Sequence, residues 1–224
     1  MNIKNLLIIV TIFCSLFTST VFAKALKIAF FASSSENGYN QATWEGVKDA
    51  AAKHGNVETA IFNGEFNATL QYAQIEDIVA SREFDGFVVA TPAKTHYEIA
   101  KVIIESKHHI LVEKPITTKL EQAIELNNLA KSNNVNLMVG HLLLFHPAFR
   151  KIKNMIESGM IGDLQYMYSN RLNLGTIRTE ENALWSLAPH DISLFQYFAE
   201  STPEKVSCVG IDIVQENIHD TSIT

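Results

Sequence analysis

The sequence predicts an α/β protein: a doubly wound parallel sheet followed by an incomplete α+β second domain. Three observations carry this reading. Five short apolar runs recur between residues 26 and 141. Stretches with helical spacing of apolar residues, each long enough to cross a sheet, separate them. Beyond residue 145 that rhythm gives way to a helix and then to alternating apolar positions. Alternation of strand and helix places helices on both faces of a parallel sheet.

The elements follow in order. LKIAFF (26–31) is strand-like, and QATWEGVKDAAAKHG (41–55) is helical, with Trp44, Val47 and Ala51 on one face and Gly55 as a stop. VETAIF (57–62) is a strand and ATLQYAQIEDIVAS (68–81) a helix. GFVVA (86–90), a helix over 95–106, HILVE (109–113), a helix over 118–132 and NLMVGH (136–141) complete a domain spanning 24–145. In the second domain, 146–224, a helix over 148–158 ends at Gly159. LQYMYSNRLNL (164–174) then alternates like a strand with one buried face. A helix over 190–199, a strand over 205–214 and the start of another strand at HDTSIT close the chain.

Residues 1–23 stand apart. Lys4, the apolar run from Leu6 to Phe17, and Val21 and Ala23 at small-residue positions have the anatomy of a secretory signal peptide. The plainer alternative is a buried N-terminal helix. A signal peptide predicts a periplasmic destination and removal of Cys14, leaving Cys208 alone and no intrachain disulfide. After its removal no membrane segment is expected. The net charge of -6 gives no electrostatic basis for binding nucleic acid. A metabolite-sized partner fits better.

In a doubly wound sheet the carboxyl ends of the strands share one edge, where such folds bind ligands. Three consecutive strands end in polar punctuation: VVATPAKTH (88–96), LVEKP (111–115) and MVGH (138–141). Thr91, Pro92, His96, Glu113, Lys114, Pro115, Gly140 and His141 should therefore converge. Taken singly, each reads more readily as ordinary loop chemistry. Taken together they form a constellation. His96, His141, His146 and His190 lack recognised ligand spacing, so no metal is expected.

Residues 88–224 resemble the Gfo/Idh/MocA family of nicotinamide-dependent sugar oxidoreductases. ATPAKTH, EKP, HPAFRKIKNMIESGMIGDLQYM and WSLAPHDISL occur in the family's order. The resemblance implies a Rossmann-like domain in which Thr91, Pro92, His96, Glu113 and Lys114 line the nicotinamide side of an NAD or NADP site. It also implies that Lys114 is the catalytic lysine and His190 the catalytic histidine. The residue types suit that chemistry. Oxidising a sugar hydroxyl needs a base for the proton while hydride leaves for the cofactor. An ammonium favours the negative charge developing on oxygen.

Many relatives carry an aspartate four residues before the histidine, where this chain has Ser186. RLNLGTIRTEENALW (171–185) resembles the branch acting on UDP-linked N-acetyl sugars or their uronates. There Arg171 and Arg178 would hold a diphosphate or carboxylate, with Ser186 and His190 completing the substrate set. A surface loop with solvated arginines is the equal alternative. The second-domain sheet of such relatives suggests a homo-oligomer.

The front departs from this pattern. A dinucleotide fold opens with strand, G-x-G-x-x-G and helix, but ASSSENGYNQATWEG (32–46) places Gly38 and Gly46 at other spacings. Residues 1–90 instead resemble a periplasmic sugar-binding protein of ABC importers, making Asn37, Tyr39 and Trp44 candidate sugar contacts. Trp44 at helical spacing also suits a core position. The two resemblances meet near Phe87–Pro92, which predicts a chimeric chain. A sugar-binding protein without catalysis is then the alternative function.

Overall fold

A computed structural model of the protein describes residues 24–36, 38–172 and 181–224. Residues 1–23, expected to form a signal peptide, and also Asn37 and Arg178 lie outside the described residues.

Strand β1 (Leu26–Ala32) turns wholly apolar after its first residues, and Ala29, Phe30, Phe31 and Ala32 are completely buried. A strand buried on both faces belongs in the middle of a covered parallel sheet. β1 pairs in parallel with β2 (Val57–Asn63) on one side and with β3 (Gly86–Ala90) on the other. β4 (His109–Val112) and β5 (Leu137–Val139) continue outward, giving the order β2-β1-β3-β4-β5. The crossovers are α1 (Gly38–His54), α2 (Ala68–Ser81), α3 (His96–Glu105) and α4 (Leu120–Asn133). The winding direction reverses between β1 and β3, so Ala32 and Ala90 flank the switch point where folds of this kind receive ligands.

Local signals set the helix ends. Asn67 opens α2, its Oδ1 accepting from the amides of Thr69 and Leu70, and Arg82 ends it in the left-handed region at φ 53. Asn134 ends α4 the same way at φ 54. The core is continuous across the sheet. Phe31 stacks on Phe62 at 4.9 Å and on Phe87 at 6.0 Å. Ile75 and Val79 of α2, Ile99, Ile103 and Ile104 of α3, and Leu126 and Ala130 of α4 close over it.

Past the sheet the chain forms α5 (Pro147–Glu157) and α6 (Ala183–Ala199). His146 opens α5, its Nδ1 accepting from the Ala148 amide at 3.2 Å, with Pro147 in the first turn. Asn182 opens α6 by accepting from the Trp185 amide at 3.0 Å. Lys153, nearly buried, joins α5 to the end of α6 through Glu200 at 2.7 Å. β6 (Val209–Ile211) and β7 (Thr221–Ile223) pair antiparallel, the second at the point where the sequence predicts the chain entering a strand. No described helix is long and apolar enough to cross a membrane.

The second half corrects three expectations. The alternating segment 164–174 forms no strand over its described residues 164–172, and Tyr166, Tyr168 and Leu172 stand exposed, Leu172 by 91%. Alternation needs a neighbouring strand to become a ladder, and among the described residues none pairs with it. The strand predicted over 205–214 shrinks to three residues for a similar reason, its apolar side chains Val206, Val209, Ile213 and Val214 being exposed. The helix predicted from 190 begins at Ala183 and carries Pro189 inside it. Proline there removes one helical hydrogen bond, a loss that packing on the neighbouring elements tolerates.

Replacing Phe31 by Ala should lower the unfolding free energy by about 3–5 kcal/mol, whereas Leu172→Ala should change it by no more than about 0.5 kcal/mol. Urea denaturation of both variants checks the placement, and a large loss in the second would reinstate 164–174 as a buried strand.

Candidate active site

The edge at the switch point is built from three strand ends. β3 runs out through Thr91 and Pro92 into a 3₁₀ turn, Ala93–Thr95, that leads directly into α3. The Thr91 and Thr95 hydroxyls share a hydrogen bond at 2.7 Å, and the Thr95 hydroxyl and amide both donate to the Pro92 carbonyl. His96, the first residue of α3, is 1% exposed. Its Nδ1 lies 2.7 Å from the Pro115 carbonyl and its Nε2 2.9 Å from the Thr91 carbonyl. One imidazole thus sits between the loop after β3 and the loop after β4, and in its neutral form donates to one of the two carbonyls, the tautomer setting which. Burial holds its pKa below the ordinary histidine value, against the opposing pull of the two carbonyls. The resemblance implies that His96 lines the cofactor site; in the structure its ring is buried and faces backbone carbonyls of the two loops.

β4 ends at Val112, and the ladder continues one step past it: the Glu113 amide donates to the Val89 carbonyl at 2.9 Å. The Gly140 amide donates to the Val112 carbonyl at 2.7 Å. These bonds set Glu113 and Gly140 side by side. A Cβ on residue 140 would stand 3.1 Å from the Glu113 carboxylate, so glycine lets the carboxylate lie against bare backbone. The same carboxylate accepts from the Lys114 amide at 3.2 Å and from the Tyr39 hydroxyl at 3.3 Å. Burial, and then the nearby Glu113 charge, raise the Tyr39 pKa above its usual value. Lys114 joins Pro115 through a cis peptide bond.

Lys114 reaches across to α6. Its Nζ donates to the Ser186 carbonyl at 2.8 Å, a contact 72 residues apart in sequence. His190 lies one helical turn further along α6, so the strand-end lysine and the helix histidine are brought together through the helix backbone. The His190 pKa is pushed down to about 4, first by burial, then by the positive charges of Lys114 and Arg171. Its Nδ1 is sealed from solvent and has no hydrogen-bond partner. His141, at the end of β5, has a buried Nδ1 without a partner as well, and burial depresses its pKa. The cleft therefore carries an ammonium between two neutral imidazoles.

One residue of the site went unread in the sequence. Glu181 accepts from the Ser186 hydroxyl at 3.1 Å, bringing a carboxylate to the turn that also receives Lys114. Its position just before the N-cap Asn182 is the only local signal, and it becomes visible once the helix is known to start at Ala183. Tyr39 was read as a sugar contact; it reaches Glu113 instead.

The remaining candidates are distributed more loosely. Arg171 donates through Nε to Asp191 at 2.6 Å, and Ser169 donates to the same carboxylate at 2.7 Å. Asp191 thus faces the 169–171 segment, away from Lys114, and anchors Arg171 beside α6. Trp44 stacks on Phe30 at 6.1 Å with the rings 9° apart, which is packing against the sheet. Arg178 and Asn37 fall outside the described residues.

Comparison with known proteins places this geometry. A family model described as "Oxidoreductase family, NAD-binding Rossmann fold" (GFO_IDH_MocA) matches residues 30–141, which include the front segment as well as the strand-end motifs. The match passes through Phe87–Pro92 and lends no support to a junction there. An uncharacterized oxidoreductase of Streptococcus pneumoniae is 26% identical over 156 residues, 66% of this chain and 42% of that protein. A UDP-N-acetylglucosamine 3-dehydrogenase of Acidithiobacillus ferrooxidans is 29% identical over 60% of this chain and 42% of its own length. The chain thus spans less than half of these relatives. Among solved structures, an NAD-binding protein from Listeria innocua superposes with a TM-score of 0.72 at 21% identity, covering 89% of this chain and 62% of that one. Scyllo-inositol dehydrogenase from Lactobacillus casei does so with 0.60 at 15% identity, covering 86% and 62%. At such identities the superpositions establish the fold, and the family match over half of the chain does the rest: the chain belongs to the Gfo/Idh/MocA family of oxidoreductases, with its NAD-binding Rossmann fold.

Proposed function

We propose that the chain carries the catalytic edge of a nicotinamide-dependent dehydrogenase acting on a hydroxyl of a sugar or nucleotide sugar. The observation that carries the proposal is the 2.8 Å bond from Lys114 Nζ to the Ser186 carbonyl, which seats the ammonium one turn from His190. The names of the Acidithiobacillus and Lactobacillus relatives support a polyhydroxylated substrate.

The residues at the β3–β4 edge fit a nicotinamide. Gly140 keeps the Glu113 carboxylate down against backbone, and the His96 brace fixes Thr91 and Pro115 on either side of the approach. Thr91, Pro92, Glu113 and Lys114 would hold it there. When bound, that ring supplies the hydride acceptor. The protein does the proton work. His190 is neutral at pH 7, and with Nδ1 sealed its Nε2 is the nitrogen that meets the substrate hydroxyl and takes its proton. Lys114 donates a hydrogen bond to the oxygen as negative charge develops on it, an interaction stronger in the transition state than before it. Arg171, paired with Asp191 beside α6, is a cation available to a charged substrate group.

Removal of the Lys114 ammonium should therefore abolish turnover: Lys114→Ala should lower sugar-dependent NAD reduction by about 10²–10³-fold without changing the circular dichroism. Turnover retained in that variant would remove the lysine from the mechanism.

The His190 titration has a definite sign. The folded ring binds its proton at about 4, below the ordinary value of 6.5, so the unfolded chain takes up more protons between those values. Its contribution to stability is complete above pH 6.5 and is lost as pH falls toward 4. The melting temperature should drop across that window, and the drop should be shallower in His190→Gln. In NMR titration of Lys114→Ala the His190 pKa should rise toward 6.5; an unchanged value would mean that the lysine charge does not reach the ring.

A further inference from the structure

In the turn between β1 and α1, three of the described amides already have partners. The Ser33 amide donates to the Ala90 carbonyl at 3.1 Å, the Ser35 amide to Asn63 Oδ1 at 3.0 Å, and the Glu36 amide to Ser34 Oγ at 3.2 Å. Its carbonyls are taken as well. Ala32 accepts from the Gly64 amide and from Gln71 Nε2, Ser33 from the Phe66 amide, and Ser34 from Asn40 Nδ2 at 2.7 Å. The side chains doing this are buried: Ser34, Asn40 and Gln71 are each no more than 4% exposed. The turn after β2 also packs down onto it, since a Cβ at Gly64 would meet Gln71 Nε2 at 2.7 Å.

A turn that grips a diphosphate does so with unsatisfied backbone amides and with glycines that let the phosphates approach. Here the amides of Ser33, Ser35 and Glu36 already have partners, three serine side chains stand where close approach is needed, and Glu36 adds an exposed carboxylate before α1. Freeing those amides would take the donors away from the Ala90 carbonyl, the half-buried Asn63 amide oxygen and the buried Ser34 hydroxyl. By contrast, the β3–β4 edge on the other side of the switch point presents a glycine beside the Glu113 carboxylate and the Lys114 ammonium.

We infer that the β1–α1 turn does not hold the diphosphate of a dinucleotide, and that the site takes the nicotinamide end alone, binding nicotinamide mononucleotide about as well as NAD. The inference rests on the reading of the β3–β4 edge as a nicotinamide site. It makes this chain selective for the nicotinamide mononucleotide half of the cofactor, the adenylate half contributing little.

Isothermal titration of the full chain with NAD, with nicotinamide mononucleotide and with ADP tests it. The dissociation constants of the first two should agree within about fivefold, with no saturable binding of ADP. NAD tighter than the mononucleotide by more than about fivefold, or saturable ADP binding, overturns the inference and leaves the nicotinamide site standing. If neither nicotinamide compound binds, the site reading fails and takes the inference with it. Glu36→Lys separates the cases again: a cation placed at the turn should leave the ratio of the two constants within about fivefold, and a larger gain confined to NAD would show a diphosphate lying over the turn.

Discussion

A buried imidazole with a backbone carbonyl at each ring nitrogen fixes the geometry on which the site depends. Parallel strands bring their carboxyl ends to one edge, but nothing in a sheet ladder holds the loops beyond the last paired residue. His96 supplies that connection. It opens α3, so its backbone position is set by the helix packed on the core through Ile99, Ile103 and Ile104. From there its ring faces Thr91 on one loop and Pro115 on the other. Glu113 and Lys114, between β4 and Pro115, are aimed by a residue that touches neither substrate nor solvent.

The electrostatics follow from where that edge points. Lys114 leaves the sheet and bonds a helix carbonyl, and its charge falls on His190, which burial has already disfavoured as a cation. The Lys114 ammonium and the His190 and His141 imidazoles thus lie within electrostatic reach of one another, and both rings are held toward their neutral form, chiefly by burial. Carboxylates are kept at the margins of this group. Glu113 is turned toward Tyr39 and the Lys114 amide, Glu181 toward the Ser186 hydroxyl, and Asp191 toward Arg171 and Ser169. Serine at 186 therefore does not strip the site of acidic groups, because Glu181 brings one to the same turn.

The residues legible in the sequence are those whose role is local. Apolar runs such as FVVA and ILV specify buried parallel strands because burial on both faces permits little else, and the strand ends then assemble by topology. Thr91, Glu113, Lys114 and Gly140 could be placed at one edge by that reasoning alone. What escaped it depends on partners distant in sequence. LQYMYSNRL has the alternation of a strand, yet a ladder requires a neighbour that the described chain does not set beside it. Pro189 reads as a helix boundary, yet Asn182 caps a helix that runs through it. The resemblance implies His96 in the cofactor lining, whereas its contact with the Pro115 carbonyl, 19 residues away, shows only in the fold.

The two sides of the switch point have diverged in what they offer a ligand. On the β3–β4 side, backbone at Gly140 is bare, an ammonium projects, and the polar atoms left without partners are those of His141 and His190. On the β1 side, polar groups turn inward and satisfy one another through Ser34, Asn40, Asn63 and Gln71. A buried polar network of that kind is stable only when complete, so it resists being opened by a ligand that would replace part of it. Tyr39 spans the division, rooted in the first turn of α1 and hydrogen-bonded to Glu113. The Tyr39 hydroxyl therefore lies at the β3–β4 edge, while in the turn the amides of Ser33, Ser35 and Glu36 already have partners.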